Sequence, residues 1–431
     1  MATLSRRRFA RLLGLSTSAA FFPGGREALA ALPLRTDPLP PAPRAPDEAY
    51  WRAVRARFVL PRDLAHLNAA NLCPTSLPQL EALERNTRRL DGDPSSATRA
   101  VMGRGREESR RLVAEFLGVS AEEIVLARNT SEANNLVSSG LQLGPGDEVV
   151  VFGDNHPSNH AAWRQKAERF GFAVSIVAHR SPHPGTAYYL DAFRAALTPR
   201  TRLLAFTHVT NTVGDLLPAE ELCALARGRG IMSLIDGAQT FGALDVRLDR
   251  IRPDFYTGSA HKWPCGPKEI GLLYVNREVH DRLYPSVVSL YPGAVGISQK
   301  MEAMGQRDEA ALASLGEAVR FQSAIGRAQI EARGRELTDA LARGLRAVEG
   351  VELYSTPGPE TGAAVLTVRP GSLDPRRLAA ALYERDRIAC AARGGMDRPG
   401  VRFSPHFYNL MEEIDRTVEA VGRYVRQGIG G

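Results

Sequence analysis

The sequence LIDGAQ at residues 234–239, followed by SAHK at residues 259–262, decides the fold of this chain. The first stretch ends a hydrophobic segment with an acid, Asp236, and the second closes on a lysine, Lys262. The interval between the two side chains leaves room for one connection and one further strand, which we predict at residues 252–258.

An acid and a lysine in this order are what a pyridoxal phosphate (PLP) site requires. Lys262 would form the Schiff base that holds the cofactor. Asp236 would pair with the pyridine nitrogen and keep it protonated, so that the ring can accept electrons. Taken singly, Asp236 is better explained as a turn residue at a strand end and Lys262 as a surface lysine, so the other motifs must decide.

An anion site is predicted where RNTSEANN at residues 128–135 follows an apolar stretch at 124–126. Thr130 and Ser131 there open a helix and offer hydroxyls and backbone N–H groups. The first-turn N–H groups of a helix lack partners within the helix, and the helix dipole favours negative charge, so this is a candidate phosphate site. An ordinary helix cap is the alternative for these two residues considered alone.

A ring-stacking residue is predicted in DNHPSNH at residues 154–160, which follows a strand at 146–152. His156 would stand at the C-terminal end of that strand and stack on the cofactor ring. His160 lies four positions later, so a metal pair is conceivable. However, the chain has no HExxH pattern and Pro157 argues against one regular helix through both histidines, and we predict no metal.

Three further side chains complete the predicted site. Asn211 follows a strand at 202–208 and would donate to the ring oxygen, with Gln239 as a second donor. Arg402 lies in a short extended run and would bind the α-carboxylate of an amino-acid substrate, because a guanidinium grips a carboxylate with two parallel hydrogen bonds. A surface ion pair is the alternative for Arg402.

Together these segments resemble the class V aminotransferase family of fold-type I PLP enzymes, which includes cysteine desulfurases and isopenicillin N epimerase. The resemblance extends from about His66 to Asp415 and rests on NTSE at 129–132, NHPSN at 155–159, HVTN at 208–211, DGAQ at 236–239 and SAHK at 259–262. It implies that Ser259 and His261 join Thr130 and Ser131 around the phosphate. It also implies a homodimer with its sites at the interface.

Departures from the family pattern narrow the implied activity. Desulfurases of the closest kind carry a nucleophilic cysteine just before the carboxylate arginine, whereas Cys390 comes too early and is predicted to pack as a small hydrophobe. The stretches at 266–267 and 402–409 resemble the isopenicillin N epimerase branch more than the desulfurases. In the family, a stretch that usually reads Gly-Thr contacts the phosphate bound by the partner subunit. Here Gln306 replaces the threonine, which leaves open whether Gln306 or Arg307 makes that contact.

The N-terminus predicts export. SRRRFAR at residues 5–11 fits a twin-arginine signal, a mild apolar run follows at 12–22, and ALA at 28–30 offers a cleavage site. The apolar run is too short for a membrane span, so no stable anchor is predicted. We therefore expect the twin-arginine export machinery as a partner and a periplasmic or secreted enzyme, with a basic disordered tail as the alternative.

Composition is typical of a large soluble enzyme. The chain has 431 residues, of which 44% are hydrophobic and 24% charged. Its formal net charge is +7, and loss of residues 1–30 with their five Arg and one Glu leaves +3, which gives no reason to expect a nucleic-acid partner. The four cysteines lack CxxC spacing, so buried thiols are expected and a disulfide stays open.

The order of elements predicts an α/β fold. Helical and strand patterns alternate from residue 107 to 276, which is typical of a mostly parallel doubly wound sheet whose ligands lie beyond the C-terminal strand ends. With the resemblance, we expect the fold-type I PLP-enzyme fold. The predicted parts are a signal peptide at 1–30, a Pro-rich N-terminal arm at 31–62, a large PLP-binding domain at 63–300, and a linking helix with a smaller C-terminal α+β domain at 301–431.

The predicted function is PLP-dependent chemistry at the Cα of an amino acid or of an amino-acid-bearing, peptide-like exported metabolite. Catalysis would rest on Lys262 as general base, with Asp236 and His156 acting on the ring. Aminotransferase or epimerase chemistry is expected, which makes the enzyme a transferase or an isomerase. The alternatives are a C–S lyase or desulfurase-like β-elimination, and a non-catalytic PLP-fold binding protein.

Overall fold

The computed structural model describes residues 39–393 and 398–430. The predicted signal peptide and the first part of the predicted arm lie outside these residues. The helices are α1 Glu48–Arg55, α2 Leu77–Gly92, α3 Ser96–Leu117, α4 Thr130–Gly140, α5 Pro157–Phe170, α6 Thr186–Ala196, α7 Ala219–Arg227, α8 Leu248–Ile251, α9 Ser298–Met301, α10 Glu309–Ile325, α11 Arg327–Arg346, α12 Pro375–Asp386 and α13 Met411–Gln427. Within the described ranges, no helix combines the length and apolar character needed to cross a membrane.

Thirteen strands lie in the same described residues. They are β1 Ala65–His66, β2 Ile124–Ala127, β3 Glu148–Phe152, β4 Ala173–Val177, β5 Thr201–Thr207, β6 Met232–Asp236, β7 Phe255–Ser259, β8 Gly271–Val275, β9 Val351–Leu353, β10 Leu366–Pro370, β11 Ile388–Ala389, β12 Ala391–Arg393 and β13 Gly400–Phe403. Strand β1 pairs with β11 in a separate short parallel pair.

A seven-stranded sheet of order β2-β8-β7-β6-β5-β3-β4 forms the larger layer of the fold. Only β8 runs antiparallel to its neighbours, so the predicted mostly parallel α/β sheet is confirmed. Strands β3 and β7 are buried along their whole length, as expected where helices cover both faces. Alternate residues accordingly enter different cores: Val150 and Leu204 pack in one cluster, and Val149 and Leu203 in another.

The parallel strands of this sheet end together, and this places the site. Thr207 pairs with Asp236, so the ends of β5 and β6 are level, and Asp236 pairs with Thr257, so β7 continues two residues further, to Ser259. Each strand is then followed by a polar turn. Backbone groups beyond the last ladder bond need other partners, and side chains from these turns converge on one edge of the sheet.

A second, four-stranded antiparallel sheet of order β12-β13-β10-β9 follows in the chain. Leu341 of α11, Leu366 of β10 and Ile414 of α13 share its hydrophobic core. The predicted linking helix is a pair of helices, α10 and α11. It breaks at Gly326, whose φ of 99° is a backbone conformation that glycine adopts without steric cost.

Part of the predicted N-terminal arm is helical. Helix α1 begins after Asp47, whose side chain accepts a hydrogen bond from the Tyr50 backbone N–H. Tyr50, Trp51 and Val54 are buried at helical spacing and join the core under the sheet. The prolines of residues 32–46 predict an extended arm, whereas the short amphipathic pattern that forms the helix begins directly after them.

A buried ion pair fixes strand β2, which leads into the predicted anion site. Arg110 of α3 donates to Glu302 through two nitrogens at 2.5 and 3.0 Å, and both side chains are almost fully buried. Glu302 also accepts the backbone N–H of Leu126 at 2.6 Å. Glu302 therefore joins helix α3 and strand β2 through one carboxylate.

Replacing Glu302 with glutamine is expected to lower the free energy of unfolding by about 3 kcal/mol, because the buried guanidinium of Arg110 loses its buried anion and keeps only the partly exposed Glu107. Denaturant titration of wild type and variant measures the loss. Glu309→Gln is the matched control, since its ion pair with Arg99 is more exposed and should matter less. An equal loss in both variants would contradict a special role for the buried pair.

Candidate active site

A cavity of about 220 Å³ opens at the C-terminal edge of the large sheet. Nine of the ten predicted site residues line it: Thr130, Ser131, His156, Asn211, Asp236, Gln239, Ser259, His261 and Lys262. Because these residues come from five separate stretches of sequence, their convergence is a property of the fold. Arg402 is not among the lining residues and lies behind Asn211.

The predicted phosphate cradle forms at one end of the cavity. Helix α4 begins at Thr130 after Asn129, whose side chain caps it, so the cap is Asn129 and the hydroxyl of Thr130 is left for other contacts. The hydroxyls of Thr130 and Ser259 are 2.8 Å apart, and Thr130 N–H donates to Ser259 Oγ at 2.9 Å. These contacts bring the SAHK turn to the N-terminus of α4, where the helix dipole favours an anion.

His156 occupies the N-cap position of α5, with Pro157 as the first helical residue. Its Nδ1 accepts the backbone N–H of Ser158 at 3.2 Å and lies 2.7 Å from the Ser158 hydroxyl. Because Nδ1 accepts, the proton of the neutral ring is on Nε2. Burial, followed by the charge of Lys262, lowers the pKa of His156, so the ring facing the cavity is neutral near pH 7.

The carboxylate of Asp236, which also lines the cavity, is oriented by two hydrogen bonds. It is 3% exposed. Its Oδ2 accepts Asn134 Nδ2 at 2.9 Å, and its Oδ1 accepts the Ala238 backbone N–H at 3.1 Å. Asn134 is oriented in turn by Thr257, whose hydroxyl donates to Asn134 Oδ1 at 3.1 Å. The carboxylate keeps acceptor capacity for a positively charged N–H in the cavity.

Lys262 lines the same cavity. Burial lowers its pKa to about 8, while the nearby carboxylate of Asp236 acts in the opposite direction. A lysine amine with this pKa is unprotonated in a sizeable fraction of molecules near neutral pH, which suits both covalent attachment of a carbonyl group and proton transfer. Burial also lowers the pKa of the adjacent His261, to about 4.

Gln239 and Asn211 face the middle of the cavity from two strand ends. The Gln239 amide is fixed at both atoms: Nε2 donates to Ala70 O at 3.0 Å, and Oε1 accepts Trp263 Nε1 at 2.8 Å. One N–H of the Gln239 amide stays available, as a hydrogen-bond donor to a ring oxygen requires. Asn211 is 8% exposed.

Arg402 and a second arginine meet on one backbone carbonyl. Arg402 Nη1 and Arg393 Nη2 donate to Asn211 O at 2.7 and 2.9 Å, and Arg402 Nη2 donates to Asn68 Oδ1 at 3.1 Å. The Nε atoms of both arginines are buried without a hydrogen-bond partner. Burial, and then the charge of Arg393, lowers the pKa of Arg402. Two neighbouring guanidinium groups with unused donors are suited to an anionic ligand.

The structure adds residues that the sequence motifs did not single out. Asn134 orients Asp236, Ser158 orients His156, and Arg393 stands beside Arg402. Asn134 lies one helical turn after Thr130, so its position in α4 is the signal that could have indicated it. Arg393 lies in β12 and Arg402 in β13, and no pattern in the sequence indicates that their side chains meet.

Two residues of the family comparison have other contacts within this chain. Gln306 accepts Arg99 Nη2 at 3.4 Å, and Arg307 donates to the carbonyl of Leu126 at the end of β2. The thiol of Cys390 is partly buried against the core of the second sheet, and burial raises its pKa to about 12. A thiol with so high a pKa is a weak nucleophile near neutral pH.

The donor set fits PLP at three points. The N-terminus of α4 with Ser259 suits a phosphate, Asp236 suits a protonated pyridine nitrogen, and Lys262 between them suits an aldehyde carbon. His156 and Gln239 offer a flat ring and an amide N–H along the span between the two ends. The chemistry of the cavity thus matches the cofactor from end to end.

Comparison with known proteins gives the same assignment. The family model for aminotransferase class-V matches residues 76–417. Isopenicillin N epimerase of Streptomyces clavuligerus is 32% identical over 389 residues, covering 86% of this chain and 98% of that protein. A probable cysteine desulfurase of Methanothermobacter thermautotrophicus is 31% identical over 404 residues, covering 87% of this chain and 98% of that protein.

A solved structure is similar over the same extent. The cysteine desulfurase of Thermococcus onnurineus NA1 superposes with a TM-score of 0.78 at 25% identity, covering 86% of this chain and 97% of that one. The expected fold-type I architecture and the PLP cofactor are confirmed. With its sheet, its lysine and its acid arranged as that cofactor requires, the chain belongs to the class V aminotransferase family of PLP-dependent enzymes.

Proposed function

We propose that this enzyme removes the Cα proton of a substrate that carries a free α-amino acid end, with aminotransferase or epimerase chemistry as the outcome. The observation that carries the proposal is the position of Lys262, whose pKa is lowered to about 8, in a cavity lined by the carboxylate of Asp236 and by Asn211, whose backbone carbonyl accepts a hydrogen bond from Arg402. PLP, when bound, supplies an electron sink conjugated to the substrate amine.

Each residue of the chain then has a defined task. Arg402, with Arg393 beside it, accepts the α-carboxylate and so fixes the position of Cα. Lys262, with its amine unprotonated, would take the Cα proton. Asp236 keeps its negative charge directed at the pyridine nitrogen through its hydrogen bond with Asn134. His156 covers the ring and keeps water from one face.

A second outcome is β-elimination of the kind that a C–S lyase or desulfurase performs. The 31% identity to the probable desulfurase supports β-elimination about as well as the 32% identity to the epimerase supports epimerase chemistry. Both begin with the same proton removal. The high pKa of Cys390 and the lack of any cysteine in residues 391–431 argue against a cysteine persulfide in the reaction.

A homodimer is part of the proposal. Val288, Leu290 and Tyr291 are 82%, 92% and 73% exposed in a short stretch that precedes Gln306 and Arg307. Apolar side chains this exposed and contiguous mark a contact surface. A second copy of the chain is the occupant that the family resemblance favours, and sedimentation analysis of the purified protein tests it.

Export and a peptide-like substrate are also proposed, on sequence alone. The RR motif and the ALA site support passage through the twin-arginine route, which carries folded proteins. An enzyme that folds around its cofactor before export needs such a route. A metabolite with one free amino-acid end would place that end at Arg402. Fractionation of cells that express the full chain, with and without Arg6→Lys and Arg7→Lys, tests the route.

The proposed Cα chemistry is tested by hydrogen exchange. Incubation of the holoenzyme in deuterated water with a panel of D- and L-amino acids and with peptides that end in a free α-amino acid should give deuterium at Cα, detected by NMR. Inversion of configuration would assign an epimerase, keto-acid formation an aminotransferase, and sulfide or ammonia release a lyase. No deuterium uptake with any substrate would contradict the proposal.

Arg402→Ala is expected to raise KM and lower kcat together, by about a hundred-fold in kcat/KM. The carboxylate loses its charged partner, and Cα moves away from Lys262. Steady-state kinetics on the best substrate of the panel measures both constants. Arg369→Ala on the neighbouring strand β10 is the matched control, because its exposed ion pair with Glu352 lies apart from the cavity lining. A change in KM alone would show that Arg402 binds substrate without placing Cα.

The pH dependence of cofactor attachment should follow Lys262. Only the unprotonated amine reacts with an aldehyde, and its fraction rises with pH through the pKa. The rate of PLP uptake by the cofactor-free protein should therefore rise with pH and level off above about pH 8. Stopped-flow absorbance over a pH series gives the profile. A rate that keeps rising toward pH 10.5, the ordinary lysine value, would contradict the lowered pKa.

A further inference from the structure

Two buried cysteines meet under the loop that carries Lys262. Cys73 is 2% exposed and Cys265 0% exposed. Their sulfur atoms and a ring nitrogen of His406 all lie within 4.8 Å of one another. The two residues are almost two hundred positions apart in sequence, so the fold alone brings them together. The thiols are reduced in this structure.

We propose that Cys73 and Cys265 form a disulfide on oxidation, and that this bond joins the turn at residues 68–73 to the lysine loop. The sulfurs need only close to the roughly 2.0 Å of a sulfur–sulfur bond. The proposal concerns the chain's redox chemistry and does not depend on which reaction the active site catalyses.

The backbone at Cys265 is an independent indication that this side chain is placed for a purpose. Its φ is 57°, a left-handed conformation that residues with a Cβ seldom adopt and that glycine adopts freely. The conformation is held by the Cys265 backbone N–H, which donates to Lys262 O at 2.9 Å, and by Gly266 N–H, which donates to Ala260 O at 2.8 Å. The lysine loop thus presents a thiol toward Cys73 from a strained position.

The two cysteines are buried directly beneath exposed residues. Cys73 directly follows Asn71 and Leu72, which are exposed at the tip of the turn. Lys268 covers the pair from the other side, where its Nζ donates to Cys73 O at 3.2 Å and to Thr75 Oγ1 at 2.9 Å. Burial raises the pKa of Cys265, whereas the charge of Lys268 favours the thiolate. Opening of the exposed turn would admit a small oxidant to the two thiols.

His406 is the third polar group beside the two thiols. Its Nε2 donates to Trp263 O at 2.7 Å, and its ring packs edge-on against Trp263 at a centroid distance of 4.9 Å. Cys265 Sγ also donates toward Trp263 O, at 3.6 Å. The imidazole is thus held by a backbone carbonyl with Nδ1 unprotonated, an arrangement that metal-binding histidines also show, so the zinc content of the purified enzyme separates a disulfide from a metal site.

The bond would act on the active site through the turn. Ala70 O holds the Gln239 amide, Asn68 Oδ1 holds Arg402, and the Cys73 backbone N–H donates to His261 O at 2.9 Å. A covalent link between Cys73 and Cys265 would hold this turn against the loop of Lys262. The turn that supports the substrate arginine and the loop that carries the cofactor lysine would then move as one piece.

The chemistry balances with a small organic disulfide as oxidant. One cysteine thiolate attacks a sulfur of the disulfide, forms a mixed disulfide and releases one thiol. The second cysteine then displaces the other thiol and forms the internal bond. Two protein thiols are oxidised and one disulfide is reduced to two thiols, so electrons and protons are conserved.

The test is incubation of the native holoenzyme with hydroxyethyl disulfide, followed by alkylation of remaining thiols and peptide mass spectrometry without reduction. We expect a linked peptide pair containing Cys73 and Cys265, loss of two hydrogen atoms, and alkylated Cys223 and Cys390. The thermal midpoint should rise by about 5 °C and fall back when a thiol is added.

Variants separate this bond from other effects. Cys265→Ser and Cys265→Gly should each abolish the linked peptide and the thermal shift, and the glycine variant also relieves the left-handed backbone. Cys390→Ser is the matched control and should retain both. Four free thiols after prolonged incubation, a bond that includes Cys223 or Cys390, or one zinc ion per chain in the purified enzyme would overturn the proposal.

Discussion

Replacing Lys262 with alanine is expected to abolish covalent attachment of PLP and to lower the rate of Cα chemistry by at least about ten-thousand-fold. The variant loses the amine that holds the cofactor and the base that takes the Cα proton, and general-base catalysis alone contributes up to about that factor. Absorption spectra measure the loss of the visible band of the bound cofactor, and deuterium exchange measures the loss of proton transfer.

The matched control for this variant is Lys268→Ala. Lys268 lies in the same loop but bonds to Cys73 O and Thr75 Oγ1, outside the cavity lining. It should retain the visible band and most of the exchange rate. If Lys262→Ala still bound PLP covalently, another lysine would be the attachment site and the assignment of this cavity would be wrong.

Replacing Asp236 with asparagine is expected to lower kcat by about a thousand-fold with little change in fold. A carboxylate and a ring N–H in contact interact by several kcal/mol in a partly buried site, and each 1.4 kcal/mol is a factor of about ten in rate. The amide keeps the shape of the side chain but cannot hold the ring nitrogen protonated. The rate of Cα deuterium exchange measures this loss directly.

Asp254→Asn is the matched control for the charge effect. Asp254 is also largely buried beside the same sheet, where it accepts Ser233 N–H at 2.7 Å, at the opposite end of the strands from the cavity. Its loss should affect stability more than rate. An equal fall in kcat for both variants would mean that Asp236 acts through the fold and not through the cofactor.

The elements that form the cofactor site were predictable from sequence because each is local. A hydrophobic strand that ends in a polar turn is a short pattern. The strands that lead to His156 and Asp236 end at the predicted residues, and the strand that leads to Asn211 ends one residue earlier than predicted, at Thr207. Such turns converge because parallel strands in one sheet share an edge. The pattern of Thr130 and Ser131 at a helix start follows from the same local logic.

Contacts between distant segments were not predictable in this way. The pairing of Arg393 with Arg402 depends on the register of β12 against β13, which places Ala391 opposite Arg402. The support of Arg402 by Asn68 depends on the parallel contact of Asn68 with Ser404. Neither strand register can be read from the sequence of one segment alone. Helix α1, by contrast, carries a readable apolar spacing that the surrounding prolines obscured.

The most direct test of the account is to reduce the holoenzyme with borohydride and locate the pyridoxyl group by peptide mass spectrometry. We expect one modified residue per chain, Lys262, on the peptide that contains SAHK, and an unmodified Lys268. A pyridoxyl group on any other lysine, or its absence from a protein saturated with PLP, would contradict the claim that this cavity is the active site.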